Sequence, residues 1–192
     1  MKKIAILVSG SGTNLERIID SINQEEIENT TIPLVVADRP CYGLERAQRH
    51  NIPHQLIPRG KDFSQHLDQL LPPDIDLIVL AGFLSILNAE FTEKYAGKII
   101  NLHPSLLPKY GGKGMWGNHV HQAVINAKET ESGATVHFVT AGIDEGEIIL
   151  QGKVKVEPSD TAETLAQKIH QVEYEIFPKA IQKVLNPKEN KK

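Results

Sequence analysis

Cys41 is the single cysteine of the chain, so no disulfide can form within it and no cysteine-based metal cluster can be built. That agrees with a reducing compartment, the cytoplasm by default. Long apolar runs are missing as well. The opening Met1–Val8 carries two lysines and an apolar stretch, but Ile4–Val8 is too short for the core of a secretion signal and suits a buried strand. Nothing approaches the length that crosses a membrane. Dense positive charge is absent until Lys188 and Lys191–Lys192, and the net charge is −3, so no nucleic-acid partner is expected. A small phosphorylated substrate stays open, because a local site can be positive on a mildly acidic protein.

What is present has the profile of a soluble globular domain: 192 residues, 40% hydrophobic and 23% charged. The expectation is one domain over 1–186 and a flexible tail over 187–192. The first half alternates short apolar runs with helical spacing. Strands are expected at Ile4–Val8, Pro33–Ala37, His54–Ile57, Ile75–Ala81 and Lys98–Leu102. Helices are expected at Asn14–Asn23, Gly43–His50, Phe63–Leu71 (ahead of Pro72–Pro73) and Ala89–Ala96. Such alternation implies βαβ units, and continuous apolar strands imply burial on both faces. Ala134–Val139 and Ile148–Val156 read as longer strands around a turn at Asp144–Gly146. Thr161–Leu185 reads as a final helix, capped by Ser159 or Asp160 and bent or divided at Pro178. The fold class is therefore α/β: a Rossmann-like, mostly parallel sheet with helices on both faces and an antiparallel C-terminal extension.

Ser9-Gly10-Ser11-Gly12-Thr13-Asn14 joins the first strand to the first helix. It lacks a dinucleotide fingerprint, since Leu15 stands where a third glycine belongs, and Asp38 gives weak support as the acidic partner. It lacks the Gly-Lys-Ser/Thr of a Walker loop. Two readings remain, a tight turn capped by Thr13 or Asn14, and a phosphate cradle at a helix N-terminus. The cradle is preferred.

Asn101-Leu102-His103-Pro104 carries the strongest signal. Asn101 and His103 are two apart, so an extended strand points them to one side. They sit at the C-terminal end of a parallel strand, where open α/β sheets bind ligands. A carboxamide beside an imidazole can stabilise an oxyanion and move a proton. Taken alone, the pair is better read as a satisfied polar closure of a strand.

Asn101-Leu102-His103-Pro104-Ser105-Leu106-Leu107-Pro108, with Val79-Leu80-Ala81-Gly82-Phe83-Leu84 before it and Thr135-Val136-His137-Phe138-Val139 after it, closely resembles the folate-dependent formyltransferases. Ser9–Asn14 adds to the likeness, which spans nearly the whole chain. The resemblance implies transfer of a formyl group from 10-formyltetrahydrofolate to the amine of glycinamide ribonucleotide in purine synthesis, without a metal. It makes Asn101, His103 and Asp144 the catalytic residues. Asp144 holds the charged form of His103. Gly12, Thr13 and Asn14 match the phosphate loop, and Glu173 matches a carboxylate on the ribonucleotide. His170 stands where a glutamine contacts substrate. Leu84, Ser85, Ile86 and Leu87 match the lining of the folate pocket, which Asn101 also borders, and Lys61 matches a basic residue near the folate. Ser85 replaces a common arginine, which puts a side-chain contact there in doubt. The loop Gly111–Gly117 is longer than usual, and Trp116 is expected to pack on the surface.

The relatives that hydrolyse formyl-folate carry an additional N-terminal domain, and those that formylate transfer RNA a C-terminal one. A start at strand one and a stop after the last helix are the pattern expected of neither. Partners are expected to be small molecules, with the chain a monomer or homodimer. His119 and His121 would diverge on a helix and are not expected to bind metal. His137 is expected to be a buried, hydrogen-bonded histidine, and His50, His54 and His66 to be surface or packing residues. Glu45-Arg46 and Glu25-Glu26 read as solvated helix faces. Nothing marks Cys41 as activated.

Overall fold

The computed structural model describes residues 1–187, so the tail expected over 187–192 lies outside the described residues except for Pro187. The elements run β1 (Lys2–Val8), α1 (Thr13–Asn23), β2 (Thr30–Ala37), α2 (Tyr42–Arg49), β3 (His54–Leu56), α3 (Phe63–Leu70) and β4 (Leu77–Leu80). They continue with α4 (Ala89–Lys94), β5 (Ile99–His103), α5 (Asn118–Asn126), β6 (Glu131–Phe138), β7 (Ile148–Lys155) and α6 (Ala162–Leu185). The seven strands form one sheet in the order β3-β2-β1-β4-β5-β6-β7. Pairing is parallel from β3 to β5 and antiparallel for β5–β6 and β6–β7, as the alternation and then the longer strands imply.

The apolar strands fill a layer on each side. Ile4, Ile6 and Val8 of β1 face Leu15 and Ile18 of α1, Val124 of α5 and Leu165, Ile169 and Phe177 of α6. Ala5 and Leu7 face the other way, toward Phe63 and Leu67 of α3 and Phe91 of α4. The register aligns Leu7 with Leu80 and Leu80 with Asn101. The C-terminal ends of β1, β4 and β5 therefore form one rim, where the sheet changes from parallel to antiparallel.

Two local expectations are corrected, and one helix was not foreseen. Pro178 does not divide the last helix, and α6 runs 24 residues without a break. An interior proline costs about 3 kcal/mol. Each fully buried large apolar side chain stabilises by about 1.5–3 kcal/mol. Ile176, Phe177 and Ile181 are buried around the proline, so packing wins. The cap of α6 is Thr161 rather than Ser159 or Asp160: Thr161 accepts from the Thr164 N–H, and the Thr164 hydroxyl accepts from the Thr161 N–H. Helix α5 lacks a sequence signal because its N-cap is Gly117, which has no side chain to cap it.

Candidate active site

The rim side chains are fixed by strand pairing. Asn101 lies opposite His137 across β5 and β6, and His103 opposite Thr135. His137 is buried, and its Nδ1 donates to the Phe138 carbonyl at 2.9 Å. That leaves Nε2 as an acceptor for the Asn101 Nδ2–H at 3.1 Å. Burial pushes the His137 pKa down, and His103 adds to this against the Phe138 carbonyl and Asp144, so the ring stays neutral and keeps its acceptor. Buried hydrogen bonding was the expectation for His137. Its orientation of Asn101 goes beyond that.

His103, only 4% exposed, donates from Nε2 to the Tyr110 carbonyl at 2.8 Å. Its Nδ1 is thereby turned toward Asp144, 3.6 Å from Oδ2. This exceeds a direct hydrogen bond and leaves Nδ1 free to accept a proton. Asp144 sits on the turn after β6 at φ 57, a left-handed conformation that aspartate tolerates better than most residues. The Gly112 N–H donates to its Oδ2 at 3.0 Å, and its Oδ1 is 3.7 Å from His137 Nε2. Gly111 beside it has no room for a side chain: a Cβ would come within 2.6 Å of Leu107 Cδ2 and 3.4 Å of Asp144 Cβ. The structure thus brings together all three residues expected at the centre.

The loop after β1 lies on the same rim. Gly12 caps α1 in the left-handed region at φ 71, and no side chain caps the helix, contrary to the Thr13 or Asn14 cap of the tight-turn reading. The first-turn N–H groups therefore stay open to an anion. A Cβ on Gly12 would lie 2.7 Å from Gly43 Cα at the start of α2. Arg46 of α2 donates to the Ser11 carbonyl at 2.7 Å and to Glu16 at 3.1 Å, so Arg46 braces this loop instead of lying on a solvated face. Glu45 is exposed, as are Glu25 and Glu26, though Glu26 pairs with Arg17 at 2.7 Å.

Asn14 donates to Glu173 Oε2 of α6 at 3.1 Å. Glu173 is 7% exposed, and burial raises its pKa against the lowering effects of His170 and Asn14. His170, three residues back, is exposed. His119 is exposed while His121 is buried, so the two diverge along α5. Burial pushes His121 down to about 4, with His170 and His103 adding their repulsion. Two buried atoms of this region, Asn14 Oδ1 and His121 Nδ1, have no hydrogen-bond partner among the described residues.

The segment Leu84–Leu87 borders the rim between these two groups. Leu84 and Ile86 are exposed and Leu87 is buried. The Leu84 N–H donates to Ser9 Oγ at 2.8 Å, tying the segment to the glycine loop. The Ser85 hydroxyl donates to Asp38 Oδ2 at 2.5 Å, which commits its side chain within the protein. Burial would raise the Asp38 carboxyl, but hydrogen bonds from Arg39, Ser85 and Ser9 outweigh it and hold the carboxyl below its usual range. Asp38 is thus a structural anchor where three loops meet. Lys61 is exposed in the loop before α3 and forms no ion pair among the described residues.

His50 pairs with Glu16 at 2.6 Å, His54 with the Ile52 carbonyl at 2.9 Å, and His66 is exposed. Cys41 is half-buried against the core. Trp116 is half-exposed, edge-on to His119 at 4.7 Å. Sequence reasoning missed Tyr110, Arg46 and His121. Tyr110 acts through its carbonyl, which no side-chain motif reveals. Arg46 and His121 depend on helices that cross elements distant in sequence.

Asn101, His103 and Asp144 gathered beside an open helix N-terminus form an arrangement that suits group transfer to an anionic substrate. The sequence profile of the formyl transferase family matches residues 2–181, and the chain belongs to that family. It is 43% identical to the phosphoribosylglycinamide formyltransferase of Haemophilus influenzae, over 94% of this chain and 86% of that protein. It is 39% identical to the Drosophila melanogaster trifunctional purine biosynthetic protein adenosine-3, over 96% of this chain but 14% of that much longer protein. The crystal structure of phosphoribosylglycinamide formyltransferase from Anaplasma phagocytophilum superposes with a TM-score of 0.88 at 34% identity, covering 97% of this chain and 88% of that one. Among the described residues, no helix is long and apolar enough to cross a membrane.

Proposed function

We propose that the chain transfers the formyl group of 10-formyltetrahydrofolate to the amine of 5'-phosphoribosylglycinamide, a step of de novo purine (IMP) synthesis. The observation that carries this reading is the convergence of Asn101 Nδ2, His103 Nδ1 and the Asp144 carboxylate at the end of β5. The names of the relatives supply the acceptor, and the open N-terminus of α1 suits its phosphate.

Asn101 has two Nδ2 protons. One is given to His137, which leaves the other for the formyl oxygen as it gains negative charge. A single oxyanion donor of this kind lowers the barrier by about 3 kcal/mol. His103 receives a proton at Nδ1, because Nε2–H is engaged by Tyr110, and donates it toward the same oxygen. The attacking amine loses one proton and the departing folate nitrogen gains one. Asp144 Oδ2, beside Nδ1, accepts the first directly or through water, and the pair returns a proton to the leaving nitrogen. Gly12, Thr13 and Asn14 hold the phosphate, with Glu173 and His170 on the ribonucleotide. Leu84, Ile86 and Leu87 line the folate pocket with the Ser85 backbone, and Asn101 borders it. Lys61 attracts the folate carboxylates from the edge, a contribution of about 1 kcal/mol or less.

The test is folate release from 10-formyltetrahydrofolate with and without phosphoribosylglycinamide. Release only with the acceptor, with formylated product, is the expected result. Equal release without it would mean hydrolysis, and none in either case from folded protein would sink the proposal.

A further inference from the structure

We propose that the Tyr110–Glu129 hydrogen bond is a latch that positions His103, making both residues positioning residues for formyl transfer. The inference rests on reading His103 as the proton carrier. Tyr110 stands at φ 55, a conformation uncommon for an aromatic residue and held only where the surroundings over-determine it. Its main-chain carbonyl accepts from His103 Nε2 at 2.8 Å. Its hydroxyl donates to Glu129 Oε1 at 2.9 Å. Burial and the Glu129 carboxylate push the Tyr110 hydroxyl pKa up, and that hydroxyl with Lys109 holds the Glu129 carboxyl down. The donor thus stays protonated and the acceptor ionised across the working pH range.

The position of Glu129 gives the latch its reach. Helix α5 ends at Asn126, Lys128 follows at φ 54, and the Glu129 N–H donates to the Val124 carbonyl at 3.3 Å. The Tyr110–Glu129 bond therefore closes the base of the excursion formed by the glycine loop and α5. Inside that base, the Tyr110 carbonyl selects the His103 tautomer and the Gly112 N–H holds Asp144 at 3.0 Å. Freed of its hydroxyl anchor, the Tyr110 peptide can relax out of the left-handed region. Its carbonyl then leaves Nε2, and the proton can move to Nδ1, the nitrogen that must be free to accept one.

The experiment compares Tyr110→Phe, Glu129→Ala and Glu129→Gln with the unaltered enzyme. It follows kcat, both KM values, the pH–rate profile and the His103 tautomer by nitrogen-15 NMR. Loss of one hydrogen bond predicts a fall in kcat of about 3- to 10-fold in Tyr110→Phe and Glu129→Ala. The KM values should change little, the limb of the profile that reports His103 should move, and the Nε2–H tautomer should lose population. Glu129→Gln keeps a carbonyl acceptor for the hydroxyl and should recover kcat and tautomer. Unchanged kcat, profile and tautomer in both disrupting variants would overturn the latch, as would a fall in kcat with the tautomer unchanged. If Tyr110→Phe does not fold, the contrast between Glu129→Ala and Glu129→Gln decides. Failure of the active-site reading looks different, since His103→Ala would then keep its turnover.

Discussion

At the β5–β6 end of the site, Asn101 donates a hydrogen bond to His137, His103 donates one to the Tyr110 carbonyl, and Asp144 accepts one from Gly112. Toward the α1–α6 end, Asn14 Oδ1 and, on α5, His121 Nδ1 are buried with no hydrogen-bond partner among the described residues. A buried polar atom left unpaired costs about 1–3 kcal/mol, so a partner from outside the chain is worth more at the second end than at the first. Under the proposed function, the difference follows a division of labour. Groups that meet a developing charge must be in place beforehand, because reorganising them during reaction raises the barrier. Groups that recognise a substrate can leave part of their hydrogen bonding for the substrate to complete.

Substitutions separate the two ends. His103→Ala, Asn101→Ala and Asp144→Ala are expected to lower kcat by about 10²- to 10³-fold. Calorimetric affinity for phosphoribosylglycinamide should stay close to that of the unaltered protein. If affinity fell as far as kcat, the contrast would collapse. Asn14→Ala and Glu173→Ala are expected to do the reverse, raising KM for the ribonucleotide about 10-fold while leaving most of kcat, on the scale of a charge-assisted hydrogen bond. Steady-state kinetics with the folate saturating would check this.

The smallest effect concerns stability. The folded chain holds His121 down at about 4 against an ordinary 6.5, so the unfolded chain binds that proton more tightly. Stability is therefore fully present above about 6.5 and lost as pH falls toward about 4. His137, also lowered, acts in the same direction. His121→Leu should flatten the dependence of Tm on pH through this window without shifting the catalytic profile. An unchanged slope would mean that His121 is not a source of the acid sensitivity.

The catalytic end was the more legible in sequence. Asn101 and His103 announce themselves by their spacing at a strand end, whereas Asp144 needed the family resemblance because it joins them only through the antiparallel turn. The sheet was readable because β1, β4 and β5 are continuously apolar. Helix α5 was not, since its N-cap is Gly117 with no side-chain cap and it follows a glycine-rich loop. The division expected as one outcome at Pro178 does not occur, because packing around Phe177 outweighs the local rule. Arg46 looked like surface until α2 brought it against the Ser11 carbonyl. At the binding end, Glu173 came from the resemblance, and no local pattern marks His121 as buried.

The bond from Asn14 to Glu173 joins residues 159 positions apart. Most of the chain must therefore be synthesised, and its last helix docked, before that bond can form. The Asn101–His137 pair spans only 36 positions and can be complete while α6 is still emerging. A growing chain would thus own its reactive groups before its grip on the ribonucleotide. Coupled binding follows from the same order, because a ligand that engages Glu173 selects chains with α6 in place. The ribonucleotide would then protect the C-terminal helix from proteolysis.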